Sequence, residues 1–111
     1  SPMPSDEFHY QLMKRLEADP EASHRQLAEE LGVSVGKTHY SLKALIERGW
    51  VKAGNFRRSD NKLAYAYYLT PQGMNEKARL ALRYLRTKQA EYERLHAEIE
   101  ALKQEVEQGG E

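Results

Sequence analysis

The chain has 111 residues, of which 40% are hydrophobic and 31% are charged; this length allows one small domain with an appendage and excludes two separate cores of ordinary size. Its 17 basic and 17 acidic side chains cancel overall but are unevenly placed, with a net charge of −4 over residues 1–33, +5 over 34–63, +4 over 64–88 and −5 over 89–111. Cysteine is absent and no apolar run approaches the roughly 18 residues of a membrane helix, so we expect a cytoplasmic protein with no metal, no cofactor and no membrane contact.

The first predicted helix follows a short tail. Residues 1–5 are expected to be disordered, and the first two of them to be a remnant of cloning. Apolar side chains then recur at helical spacing, at Phe8, Leu12 and Leu16. Pro20 ends the pattern, so this helix is predicted to stop shortly before it.

Two further helices are predicted on either side of a tight turn. A capping box that begins at Ser23 predicts a helix over about residues 24–31, and Gly32 stands where a left-handed C-terminal residue belongs. Ser34 is a suitable N-cap for a third helix, which ends near Gly49. The side chains expected to be buried on this third helix are Thr38, Leu42, Leu45 and Ile46.

The periodicity changes after the third helix. Residues 50–54 and 63–69 have the alternation of strands, and the polar run 57–62 between them predicts a turn, so the three segments together predict a hairpin. Four aromatic residues are expected to form the core of this hairpin and its cross-strand pairs rather than a stacking platform for nucleic-acid bases, namely Trp50, Tyr65, Tyr67 and Tyr68.

Thr70 and Pro71 suit the start of a long final helix, which is free of proline and glycine from Met74 to Gln108. Its apolar residues follow a heptad repeat, with one seam position at Ala78, Leu85, Tyr92, Ile99 and Val106 and the other at Ala81, Lys88, Leu95 and Leu102. Because the stripe is narrow and its flanks are rich in glutamate, a second copy of the helix is the expected partner. We therefore predict a homodimer with an interface that contains Leu85, Tyr92, Leu95, Ile99, Leu102 and Val106. Charges on the flanks favour parallel pairing by only about a few tenths of a kcal/mol per pair, and antiparallel pairing stays open.

This order of elements predicts a mainly α fold with a small β-hairpin (α+β). A winged helix-turn-helix domain is expected over residues 6–73, followed by a long coiled-coil helix over 74–108. In such a domain the third helix is the recognition helix and the hairpin is the wing.

Burial of one face of the recognition helix turns the other face outward. The residues expected at this DNA-binding surface are Ser34, Val35, Gly36, Lys37, His39, Tyr40 and Lys43. Lys37 and His39 can donate to guanine or phosphate, and free N–H groups beside Ser34 suit a phosphate. The wing adds Arg57, Arg58, Asn61 and Lys62, which have the charge and reach for an adjacent minor groove. Double-stranded DNA is therefore the predicted partner.

Three segments resemble the MarR-type winged-helix regulators: LAEELGVSVGKTHYSLKALIERGWV over residues 27–51, NFRRSDNKLAY over 55–65 and LTPQG over 69–73. More narrowly, the second segment and the glutamate-rich final helix are similar to a bacterial subgroup associated with exopolysaccharide biosynthesis loci. The resemblance covers about residues 6–107. It implies a homodimeric transcriptional regulator that binds a pseudo-palindromic operator and controls polysaccharide genes. It leaves open the operator sequence, the direction of regulation and any small-molecule effector.

Other classes of function fit the sequence less well. Gly32 and Gly36 are separated by three residues, whereas a phosphate-binding loop of this type needs four. The four histidines, His9, His24, His39 and His96, share no metal-ligand spacing, and no catalytic arrangement can be placed on the predicted scaffold, so we expect no enzyme activity. The remaining alternative is a winged-helix adaptor for protein–protein interaction, with a terminal helix that binds a different partner.

Overall fold

A computed structural model describes residues 5–109 of the chain. The helices and strands in chain order are α1 (Ser5–Ala18), α2 (His24–Leu31), α3 (Val35–Glu47), β1 (Val51–Arg57), β2 (Leu63–Leu69) and α4 (Pro71–Gln108). This order confirms the predicted mainly α fold with a small hairpin and a long final helix. The expected disordered tail lies outside the described residues, except for Ser5, which begins α1. Among the described helices, none is both long enough and apolar enough to cross a membrane.

Two serine caps and a glycine set the end of α2 and the start of α3. The Ser23 hydroxyl accepts a hydrogen bond from the Gln26 N–H at 3.1 Å, and the Gln26 side chain accepts from the Ser23 N–H at 2.8 Å, which confirms the capping box. Gly32 has a φ of 69°, so α2 ends in a left-handed turn. Ser34 then caps α3 by accepting from the Lys37 N–H at 3.0 Å. The turn between the two helices is consequently as tight as the sequence predicts.

The core lies where α1, α2, α3, the hairpin and the start of α4 meet. Its largest fully buried apolar side chains are Phe8, Leu12, Met13, Leu16, Leu27, Leu42, Leu45, Val51 and Leu80. Full burial of a side chain of this size stabilises a fold by about 1.5–3 kcal/mol relative to its exposure. Thr38 is also fully buried, without leaving its hydroxyl unpaired, because that hydroxyl donates to the Ser34 carbonyl at 3.1 Å.

One junction joins the end of α3, the base of the hairpin and the start of α4. The Thr70 hydroxyl donates to the Gly49 carbonyl at 2.6 Å and accepts from the Gly73 N–H at 2.9 Å, so it acts as the N-cap of α4. The Thr70 N–H donates to the Trp50 carbonyl at 3.0 Å. A Cβ atom added to Gly73 would lie 1.9 Å from that same carbonyl oxygen. The LTPQG segment is therefore a cap followed by a close backbone approach that only glycine permits.

β1 and β2 form an antiparallel pair that runs from Val51 opposite Leu69 to Arg57 opposite Leu63. β1 is longer than the alternating pattern predicts, since it continues past Gly54 to Arg57. Of the added residues, Asn55 and Arg57 are polar and exposed and Phe56 is half-buried, but each has a backbone partner on β2, and it is this pairing that extends the strand.

The aromatic residues of the hairpin are less buried than the sequence predicts. Tyr67 is buried and Trp50 packs against the core, whereas Tyr65 is 63% exposed and Tyr68 is 41% exposed. Tyr65 lies nearer the wing tip than Tyr67, and Tyr68 lies over Gly54, with a ring carbon 3.3 Å from the position of a Cβ there. Successive strand residues point to opposite faces, so Tyr67 and Tyr68 cannot both face the helices.

Ile46 was predicted to be buried, and the structure shows that this is wrong, since 36% of it is exposed. The stripe that α3 buries contains Ser41 instead of Ile46. Its residues are Thr38, Ser41, Leu42 and Leu45.

The described chain falls into two compact units, of which one ends at Ala81 and the other begins at Leu82. Within the second unit, every side chain from residue 85 to 109 is exposed. Two ion pairs there join residues three apart on the same helix, Lys88 with Glu91 and Lys103 with Glu100. Pairs of this kind stabilise a helix by only about 0.2–0.5 kcal/mol each.

The close approach at Gly73 can be tested with Gly73→Ala. The added methyl group must displace the Trp50 backbone, so we expect the free energy of unfolding, measured by urea denaturation, to fall by about 1–3 kcal/mol. Gly36→Ala is the matched control, because a Cβ at this helical position meets only the Ser34 hydroxyl, at 3.9 Å. Equal stability of the two variants would contradict this account of the junction.

Candidate nucleic-acid interface

The outward face of α3 is formed by residues of its N-terminal half. Val35 is 49% exposed and Tyr40 is 75% exposed. Ser34, Gly36, His39 and Lys43 are also exposed. Because positions three and four apart lie on the same side of a helix, these residues share one solvent-facing surface. The structure thus brings together the residues predicted on this helix, of which Lys37 is only partly exposed.

Lys37 is half-buried and has a partner that the sequence did not predict. Its ammonium nitrogen lies 4.7 Å from the centre of the Phe8 ring, a cation–π distance. Phe8 is a core residue of α1, so this contact connects the start of the recognition helix to the first helix.

The wing tip is a compact turn organised by Asp60. The Asp60 carboxylate accepts from the Arg58 guanidinium at 2.9 Å and from the Lys62 N–H at 3.1 Å. Asn61 has a φ of 64°, in the left-handed region that asparagine tolerates, and its carbonyl accepts from the Arg57 guanidinium at 3.1 Å. The four predicted wing residues are thereby held together on one exposed loop.

Three side-chain rings connect the outward face of α3 to the hairpin. The ring centre of His39 lies 5.4 Å from that of His24, at the start of α2. The His24 Nε2 atom lies 3.0 Å from the Tyr67 hydroxyl of β2. From the sequence, His24 is considered as a metal ligand, and Tyr67 as part of the hairpin core and its cross-strand pairs or of a stacking platform. The missing information is that β2 runs beside the start of α2, where the Tyr67 N–H donates to the Pro20 carbonyl at 2.9 Å.

A hollow of about 210 Å³ lies between the wing and the start of α2. Phe56 and Ala64 of the hairpin form part of its apolar wall, and the charged residues Glu21 and Arg58 line it together with His24. His24 therefore borders the wing on one side and His39 of α3 on the other. Within residues 5–109, no three histidine or carboxylate side chains come together as a metal site.

His9 of α1 stands close to the cations of α3. Burial lowers the pKa of His9 below the ordinary value, and the positive charges of Arg48 and Lys37 lower it further. The negative charge of Asp6 acts in the opposite direction and raises this pKa. Burial and the neighbouring His39 likewise lower the pKa of His24. Both rings are therefore held in the neutral form more strongly than free histidine.

Comparison with known families identifies the first half of this architecture. Residues 5–52 match a family model described as winged helix-turn-helix DNA-binding. This match spans α1, α2, α3 and the start of β1, and the hairpin that follows supplies the wing. The chain therefore contains a winged helix-turn-helix domain. A search of curated protein sequences finds no match.

Solved structures show the same fold. The chain is 22% identical to the PcaV transcriptional regulator from Streptomyces coelicolor, solved with its natural ligand, with a TM-score of 0.62 over 79% of this chain and 60% of PcaV. The chain is 19% identical to ZitR, a zinc-responsive MarR family member from Lactococcus lactis, with a TM-score of 0.60 over 84% of this chain and 62% of ZitR. It is 18% identical to a MarR/EmrR family transcriptional regulator from Acinetobacter sp. ADP1, with a TM-score of 0.57 over 90% of this chain and 75% of that regulator.

The resemblance to MarR-type regulators is thus confirmed for the fold. The chain spans about 60% of the length of PcaV and of ZitR.

The lowered pKa of His9 makes a prediction about stability. His9 binds a proton more readily in the unfolded chain, where its pKa is about 6.5, than in the folded chain, where its pKa is lower. The free energy of unfolding therefore decreases as the pH falls from about 6.5 through the lowered pKa. We expect urea unfolding at pH 7.5, 6.5 and 5.5 to show a smaller decline for His9→Gln than for the unmodified chain. His96→Gln, at an exposed position of α4, is the control. If His9→Gln and the control decline equally, His9 has no such role.

Proposed function

We propose that this chain is a sequence-specific transcriptional regulator that binds double-stranded DNA as a homodimer on a pseudo-palindromic operator. The observation that carries the proposal is the exposed N-terminal half of α3, which the ring of His24 connects to the hairpin that bears the wing. A recognition helix uses this half to contact base edges in the major groove, and a wing contacts the neighbouring minor groove.

The charge distribution supports DNA as the partner. The segment of residues 34–63, which contains α3 and the wing tip, carries a net charge of +5 in a chain that is neutral overall. The proposed DNA contacts come from the residues that the sequence predicts: Ser34, Val35, Gly36, Lys37, His39, Tyr40, Lys43, Arg57, Arg58, Asn61 and Lys62. Cations bind phosphates and fix the register, while His39 and Tyr40 have the groups to contact base edges.

The exposed stripe of α4 supports the homodimer. Its apolar side chains are Leu85, Tyr92, Leu95, Ile99, Leu102 and Val106, with exposed fractions between 43% and 72%. An apolar stripe of this extent normally marks an interaction surface. Two shallow depressions lie along it, one beside Leu95 and the other beside Leu102, with Ile99 in both. In a coiled coil such depressions receive the apolar side chains of the second helix.

These roles divide the chain into a DNA-binding region over residues 6–73 and a pairing region over 74–108. Control of exopolysaccharide biosynthesis genes is the proposed biological role. It rests on the resemblance of the NFRRSDNKLAY segment, which forms the wing, and of the glutamate-rich α4. The proposal assigns the chain no catalysis, and it carries over neither the ligand of PcaV nor the zinc response of ZitR.

DNA binding can be tested with Lys43→Gln and Arg58→Gln. The unmodified chain is first used to select duplexes from a random library, and an inverted repeat with half-sites about 34 Å apart is expected. Affinity for the selected duplex is then measured against salt concentration. Each variant should bind more weakly, and the slope of log affinity against log salt should become shallower by about 0.9 for every phosphate that the variant no longer neutralises.

Lys103→Gln is the control for this test, since it removes an exposed lysine of α4 that lies outside the proposed DNA surface. Binding that is insensitive to salt, or equal in all three variants, would refute the regulator and favour an adaptor for other proteins.

The dimer can be tested with the double change Ile99→Glu and Leu102→Glu, which places charges on the exposed stripe of α4. We expect light scattering to give the mass of a monomer, whereas the unmodified chain has the mass of a dimer. Ala97→Glu with Ala101→Glu adds the same two charges to the opposite side of the heptad and should remain dimeric. A dimeric mass for the first variant rules out this seam.

A further inference from the structure

We propose that His24 and Tyr67 are positioning residues for DNA binding, which hold His39 in place on the outward face of α3. This inference rests on the proposed function and extends it to two residues outside the recognition helix and the wing tip. The Tyr67 hydroxyl fixes the His24 ring, and the His24 ring in turn supports the His39 ring. His39 alone of the three contacts DNA.

The geometry forms a continuous path from the hairpin to the recognition helix. Tyr67 is a buried residue of β2, and its backbone is held by the hydrogen bond to Pro20, so its hydroxyl has a fixed position. The His24 Nε2 atom lies within hydrogen-bond distance of that hydroxyl, at 3.0 Å, and the two ring centres are 5.5 Å apart. The His24 and His39 rings follow at 5.4 Å, tilted by 50°.

The contrast with neighbouring residues shows why this path bears on binding. Tyr40, next to His39, is 75% exposed, so little packing restricts its side chain before it meets DNA. Ordering a side chain at an interface costs conformational entropy. The His39 ring rests against His24 before any DNA is bound. Pre-ordering therefore favours contacts made by His39 over those of freely rotating neighbours.

The protonation state of the pair follows from its surroundings. Burial and the adjacent His39 keep the pKa of His24 below its ordinary value, so His24 is neutral near pH 7 and one of its ring nitrogens can accept from a hydroxyl. The other titratable or charged groups around it are Tyr67 and Tyr65 of β2 and, at the adjoining hollow, Glu21 and Arg58. A neutral His24 places no positive charge beside the His39 ring.

The path also connects the hairpin to the recognition helix by side chains. Tyr67 lies on β2, the strand that leads away from the wing tip, and two side-chain contacts join it to His39. His24 and Tyr67 are not identified by looking for exposed basic groups, because neither residue needs to touch the duplex.

The test is a double-mutant cycle between Tyr67 and His39. Tyr67→Phe removes only the hydroxyl, and we expect about 3- to 10-fold weaker binding to the duplex selected by the unmodified chain, the effect typical of removing one hydrogen bond. Tyr65→Phe is the matched control on the same strand, where the ring is 63% exposed, and it should bind within about twofold of the unmodified chain. In a His39→Ala background, Tyr67→Phe should weaken binding no further, because the residue through which it acts is gone.

Thermal unfolding checks that each variant is folded, and His24→Gln is the second variant for the same cycle. Equal weakening by Tyr67→Phe with and without His39 would overturn the inference, as would a Tyr67→Phe variant that binds as well as the Tyr65→Phe control. If the unmodified chain binds no duplex, the proposed function fails as well. If the chain binds and the effects of the Tyr67 and His39 substitutions are additive, only the positioning role fails.

Discussion

The placement of the hairpin depends on the hydroxyl of Thr70 and the missing side chain of Gly73. The Thr70 hydroxyl bonds to both the end of α3 and the first turn of α4, and Gly73 lets that turn lie against the Trp50 carbonyl. The base of the hairpin is therefore held from two sides before the strands leave the core. This fixed base sets where the wing leaves the core beside the recognition helix, so the proposed DNA surface depends on a contact at the far end of the hairpin from its tip.

The residues of the candidate interface on α3 are held in place partly by other helices and strands of the domain. His39 and Tyr40 are adjacent on α3, yet one rests against a supporting ring and the other is open to solvent. Lys37 combines a surface position with a contact to Phe8 in the core. Residues of one short helix thus differ in how firmly they are held, and this difference comes from α1, α2 and β2 rather than from the helix that carries them.

Much of the fold could be predicted from the sequence because its boundaries are set by local chemistry. The caps at Ser23 and Ser34 act within three residues, and Gly32 ends a helix by its own backbone conformation. The exposure of Tyr65 and the extra length of β1 could not be predicted, since both depend on which helices and strands pack nearby. The His24–Tyr67 contact joins residues 43 positions apart and leaves no periodic signal. The assignments of DNA contacts and of the α4 seam remain predictions.

The carboxylate of Asp60 gives the wing a built-in competitor for phosphate. The Asp60 carboxylate accepts a hydrogen bond from the Arg58 guanidinium at 2.9 Å, and a phosphate oxygen could accept from the guanidinium in the same geometry. Arginine at the tip is thereby pre-aligned but partly neutralised, so weak, indiscriminate attraction to any polyanion is reduced. In the proposed complex, a duplex that fits the wing closely would exchange one anion for another, whereas a poor fit would leave the internal pair intact. A negative charge within the wing would in this way sharpen discrimination between correct and incorrect sites.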